Sequence, residues 1–103
     1  MKQLLSASVL ALATFAPIAA SAGPIESACN RSDRPGASRQ LCRCIEAAAD
    51  HTLTRSEQRR AARFFTDPDE AQAVRMSSSR RDNEFWERYR SFGALAEQMC
   101  SAG

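Results

Sequence analysis

The chain has 103 residues, with 14 Lys plus Arg against 12 Asp plus Glu, a formal net charge of +2 and 44 % hydrophobic residues. That length fits one domain. A charge so near neutrality excludes the basic footprint of a nucleic-acid-binding domain, for which a pI above about 9 is expected.

Residues 1–22, "MKQLLSASVLALATFAPIAASA", read as an export signal. Lys2 gives the positive start, Leu4 to Ala16 is an uncharged apolar-to-small run, and Pro17 breaks it. Ala20-Ser21-Ala22 is a small-x-small site, so cleavage is expected after Ala22. An uncleaved membrane anchor is the rival reading, but spanning a bilayer takes about 20 apolar residues and this run is shorter. A lipid anchor on Cys29 is disfavoured because Glu26 stands where such a site needs an aliphatic residue. The expected mature chain is residues 23–103, periplasmic or secreted, with no membrane span after cleavage. It holds thirteen arginines and no lysine.

Strict alternation is absent and β-branched residues are scarce after Leu53, so the mature chain is expected to be all-α. About four helices are expected, in a small bundle stapled by disulfides. "GPIESAC" is one opening turn with Pro24 at its first helical position. Pro35-Gly36 marks a turn. Ser38 caps a helix to about Asp50, whose inner stripe is Leu41, Ile45, Ala48 and Thr52. "TRSE", Thr54 to Glu57, is a capping box. It opens a helix to about Phe65, with Ala61, Ala62 and Phe65 turned inward. "DPDE", Asp67 to Glu70, starts a short helix that ends near Met76. The last helix runs from about Arg80 to Cys100. Phe85, Tyr89, Phe92, Ala96 and Met99 recur along it at four-three-four-three spacing, the stripe of a core spine. Gly93 beside that stripe is expected to allow close helix contact.

The mature chain has four cysteines, Cys29, Cys42, Cys44 and Cys100. An even count in a short, exported chain implies two disulfides. Helix positions two apart point about 200° away from each other, which argues against a Cys42–Cys44 bridge. Two pairings remain: Cys29–Cys42 with Cys44–Cys100, or Cys29–Cys44 with Cys42–Cys100. The placement of Cys44 nearer the apolar stripe favours the first. Metal is not expected, since zinc pairs are spaced C-x₂₋₄-C and His51 is a lone histidine. A thiol–disulfide oxidoreductase using Cys42 and Cys44 is an alternative. Arg39, Arg43 and the helix start would lower their thiol pKa, but the chain lacks the strands that usually present such a pair.

Arg55, Arg59, Arg60 and Arg63 share one helix. They read either as a face for an anion or an acidic partner, or as cations placed at a helix C-terminus, where they are favoured. Asp67, Asp69 and Glu70 follow closely enough to pair with them, and the second reading is preferred. Glu84 with Arg88 and Glu87 with Arg90 read as solvated pairs. No G-x-S-x-G turn occurs and an even cysteine count leaves no free thiol, so neither catalysis nor a cofactor is expected.

With Cys29, the Cys42-x-Cys44 pair, "RSEQRRAARFF" and the closing "FWERYR…C", nearly the whole mature chain resembles a group of small exported four-cysteine proteins of Gram-negative bacteria, often labelled "arginine transporter". No catalytic residues are established for the group, so none come with the resemblance. A membrane carrier needs several spanning segments, so the label implies at most a soluble accessory or binding component of a transport system, with arginine as one candidate cargo. The expected function is a structural or protein-interaction role, toward a protein or envelope partner that the residues do not name.

Overall fold

The computed structural model describes residues 22–101; the expected signal segment thus lies outside the described residues, save Ala22. The fold is all-α, with no strand among the described residues. Five helices, α1 (Pro24–Arg31), α2 (Arg39–Thr52), α3 (Arg55–Ala62), α4 (Pro68–Arg75) and α5 (Arg80–Cys100), are joined by short links, and a 3₁₀ turn (Arg63–Phe65) follows α3.

The local start signals act as their chemistry requires. The Ser38 hydroxyl accepts from the Leu41 N–H at 3.0 Å, and the Ser79 hydroxyl accepts from the Asp82 N–H at 3.1 Å. At Thr54 the capping box is complete. Its hydroxyl accepts from the Glu57 N–H at 3.2 Å, and the Glu57 carboxylate accepts from the Thr54 N–H at 2.9 Å. Gly36 takes φ +84°, a left-handed turn conformation that costs glycine little.

The expected opening turn extends into the full eight-residue α1. Its cap comes from outside: Gly23 has no side chain, and Oε1 of Glu46, on α2, accepts from the Ile25 and Glu26 N–H groups at 3.1 and 3.2 Å. A remote carboxylate is invisible to a search for local capping residues.

α5 lies along α2, α1 packs across α2 and α3, and α4 closes against α5 and the 3₁₀ turn. Of the expected core residues, Ala48, Ala61, Phe85 and Phe92 are buried. Ile45, Phe65, Tyr89 and Ala96 are half-buried and pack against that cluster. Leu41 is half-buried outside it. Met99 does not belong to the core: it is 40 % exposed, because no α5 residue after Phe92 is buried. Ile25, which is fully buried, Leu53, Phe64 and Val74 complete the centre.

Phe64, not Phe65, is the buried member of its pair. The chain tightens from α-helix to 3₁₀ at Arg63, which rotates the following side chains relative to a continuous helix. Phe64 meets Phe85 and Tyr89 edge-on, with centroids 6.1 and 5.2 Å apart. Tyr89 also contacts Trp86 and Phe92, at 5.2 and 5.8 Å. Burial pushes the Tyr89 hydroxyl pKa above its ordinary value, an effect that the Arg34 charge opposes. Arg34 itself lies 5.4 Å from the Phe65 ring centroid, which fastens the loop before α2 onto the aromatic cluster.

Gly93 allows no close approach: a methyl group there would meet no atom within 4 Å. It is an exposed glycine inside α5. Gly93→Ala therefore removes backbone freedom from the unfolded chain at no steric cost. It is expected to stabilise the fold by about 0.5–1 kcal/mol, read as a melting temperature higher by about 2–8 °C.

Candidate functional site

All four cysteines are bonded, in the pairs Cys29–Cys42 and Cys44–Cys100, with Cα atoms 5.5 and 5.9 Å apart. The favoured pairing is present, but not for the reason that favoured it. Cys42 is the fully buried cysteine and Cys44 is only half-buried. The buried side chains of α2 are Cys42, Glu46, Ala48 and Ala49, with Leu53 just beyond its end; of the expected stripe Ala48 is among them and Ile45 packs against the core, so the buried face is wider than expected and extends to the Cys42 side. Cys42 thus faces α1, while Cys44, about 200° round the helix, reaches α5. No free cysteine is present among the described residues.

The Cys42 side of that face also carries a signal that was legible in the sequence. Cys42, Glu46, Ala49 and Leu53 recur at four-three-four spacing, so Glu46 is a carboxylate set in an apolar stripe. It is 6 % exposed, and its Oε2 has no hydrogen-bond partner. Burial raises the Glu46 pKa, with the neighbouring Asp50 charge adding to the rise, while the N–H groups of Glu26 and Ile25 hold it back. Gln58 is the second buried polar side chain that sequence reasoning missed. Its amide donates to Asp50 Oδ1 at 3.0 Å and to the Leu53 carbonyl at 3.4 Å, which locks the α2–α3 corner.

The four arginines do not form one face. Arg59, Arg60 and Arg63 line an open depression of about 1120 Å³ together with Arg81 and Arg88 of α5. Arg55 lines a separate recess beside Glu26, Arg43 and Glu46. Most of the gathered arginines are already engaged. Arg60 donates to Asp82 at 2.5 Å and stacks 4.6 Å from the Phe85 centroid. Arg63 pairs with Glu70 at 3.1 Å, one of the acids expected to serve it. Arg88 does not pair with Glu84 on its own helix; it crosses to Glu57 of α3 at 2.5 Å, because α3 and α5 flank the same depression. Among the described residues, Arg59 and Arg81 form no ion pair. His51 also lines the depression, and it is exposed.

These crossings have a pH signature. Burial pushes the Glu57 carboxyl up, but the Thr54 N–H and the Arg88 guanidinium outweigh it and hold the carboxyl below its usual value. Hydrogen bonds from Arg60, then Ser77, lower Asp82. A carboxyl lowered on folding contributes stability above its unfolded value and loses it as the pH falls through the folded value. Glu57→Gln is therefore expected to destabilise by under about 1 kcal/mol at pH 7. The gap from the unaltered protein should close progressively below pH 4.5. Thermal melts of both proteins across pH 3–7 give the comparison. Glu46 has the opposite sign, since its raised value favours the fold at acid pH and that contribution is lost as the pH rises.

Among the described residues no group of three His, Cys, Asp or Glu is arranged to hold a metal ion. No described helix is long and apolar enough to cross a membrane. Fold and bridges together define a small, disulfide-stapled, all-helical domain. No family model, curated protein or solved structure matches the chain.

Proposed function

We propose that the chain is a small exported domain with a structural or protein-interaction role in the periplasm or outside the cell. The observation that supports this reading is the pairing of all four described cysteines, which ties α1 and the end of α5 to the single helix α2. Structural disulfides of this density belong to oxidising compartments and to domains whose core alone is marginal. The test is recovery of the tagged protein from the envelope fraction, followed by intact mass and thiol count. A chain starting at Gly23 with no free thiol, captured with a stoichiometric partner, is the expected result. A cytoplasmic chain with four reduced thiols overturns the reading.

The second reading is a binder of a small anion, as a soluble component serving a transport system. It is favoured by the depression that gathers Arg59, Arg60, Arg63, Arg81 and Arg88. The same depression suits arginine as a ligand poorly, because Glu57 and Asp82 are already held by Arg88 and Arg60. Titration with inorganic phosphate, compared with an Arg59→Ala/Arg81→Ala variant, separates this reading from the first. The oxidoreductase alternative requires a bond between Cys42 and Cys44, whereas each is bonded to a different cysteine.

A further inference from the structure

At the start of α1 the extended, buried Gly23 passes directly against the Glu46 carboxylate. A Cβ on Gly23 would lie 2.9 Å from Oε2 and nearer still to Oε1 and Cδ, so a side chain there would push the carboxylate out of place. The Gly23 nitrogen is bonded to the same α-carbon. Of the two carboxylate oxygens, Oε1 takes the Ile25 and Glu26 N–H groups and Oε2 takes none. A buried carboxylate with an empty acceptor lacks the partner that a buried charge requires. The surrounding charges do not supply one. Asp50 is a like charge. Glu26, Arg43 and Arg55 line the adjoining recess, and Arg43 lies 3.9 Å from the Glu26 carboxylate.

We propose that Glu46 is the binding site for the chain's own α-ammonium group, created when the Ala22–Gly23 bond is hydrolysed. Water adds across that bond: its oxygen stays on the Ala22 carboxylate, and both its protons end on the Gly23 nitrogen. The resulting ammonium carries three donors where the peptide carried one, and rotation about its N–Cα bond can turn one of them toward Oε2. Processing thus completes the cap of α1 and neutralises the buried carboxylate. The pairing requires an N-terminal glycine, because any larger residue would displace the carboxylate. The inference rests on the export reading above.

The sequence makes the test specific. Lys2 is the sole lysine, so in a chain that begins at Gly23 the α-amine is the sole primary amine. The full chain is expressed with its leader and recovered from the envelope fraction, and intact mass identifies its first residue. Acylation of the amine by acetic anhydride is then followed across pH 6–9, in native protein and in denaturant. The native rate at pH 8 is expected to be at least about tenfold slower, with its midpoint moved to higher pH. Glu46→Gln is expected to bring the native rate within about twofold of the denatured rate. Equal native and denatured rates in the unaltered protein overturn the pairing, as does slow acylation that persists in a folded Glu46→Gln variant. If that variant does not fold, the α-acetylated protein, which keeps Glu46, is expected to melt below the unmodified one. Equal melting then overturns the pairing. A first residue other than Gly23 overturns the export reading and the pairing with it, whereas a freely reactive Gly23 amine overturns the pairing alone.

Discussion

Replacing Cys44 and Cys100 together by alanine lowers the free energy of unfolding by about 4 kcal/mol. The bridge joins residues 56 apart in sequence, and loop-closure entropy at that separation gives roughly this value. Both cysteines are only half-buried, so little packing is lost and the chain entropy dominates. A domain of this size has about 5–15 kcal/mol in total. Urea unfolding of the double variant is therefore expected to shift markedly, and its melting temperature to fall by on the order of 15–30 °C. The loss has a location as well. Beyond Phe92 no residue of α5 is buried, so the bridge is the chief anchor of the last two turns. Amide exchange in residues 93–100 should accelerate more than in α2. A loss under about 1 kcal/mol would mean that packing, not the bridge, holds the end of α5. The Cys29–Cys42 bridge spans 13 residues, for an entropic contribution of about 3 kcal/mol. Its sulfurs are buried, however, and their removal adds a packing loss.

Phe64→Ala is expected to cost about 3–5 kcal/mol, and Phe65→Ala far less. Phe64 is 5 % exposed and meets both Phe85 and Tyr89 edge-on. Its deletion leaves a cavity among side chains that are already interlocked, so the transfer and cavity terms add. Phe65 is half-buried, and its distinctive contact is the Arg34 guanidinium. A partly exposed cation–π contact adds about 0.5–1 kcal/mol to the partial burial of the ring. Denaturant midpoints of the two variants, measured side by side, decide the matter. Equal losses, or a larger loss at Phe65, would mean that α3 continues through Phe65 without tightening.

Those two phenylalanines show where sequence reasoning stops. The elements themselves were legible because their signals are local: Ser38, the Thr54–Glu57 box and Pro68 each act within one turn. The α5 stripe was legible through Phe92 because one helical period runs unbroken from Phe85. A switch to 3₁₀ at Arg63 has no comparable residue signature, so an extrapolated α period turned Phe65 inward instead of Phe64. On α2 the small residues Ala47, Ala48 and Ala49 support two adjacent registers almost equally. Only the partners of the helix, α1 on one side and α5 on another, choose between them. The polar sites were hidden for a related reason. Glu46 Oε1 and Gln58 Nε2 bond groups that lie outside their own helices, and each side chain keeps one buried oxygen without a partner. The arginine row divides because Arg55, in the first turn of α3, borders a recess shared with α1 and α2, whereas Arg59, Arg60 and Arg63 border the depression shared with α5.

The bridges join the first cysteine to the second and the third to the fourth along the chain. A thread that enters an oxidant from its N-terminal end can therefore close each link with the most recently arrived free sulfur and never need to undo one. Cys42 and Cys44 emerge almost together, so the order of arrival does not tell them apart; it is the helix that does, by turning one sulfur toward α1 and the other toward the tail.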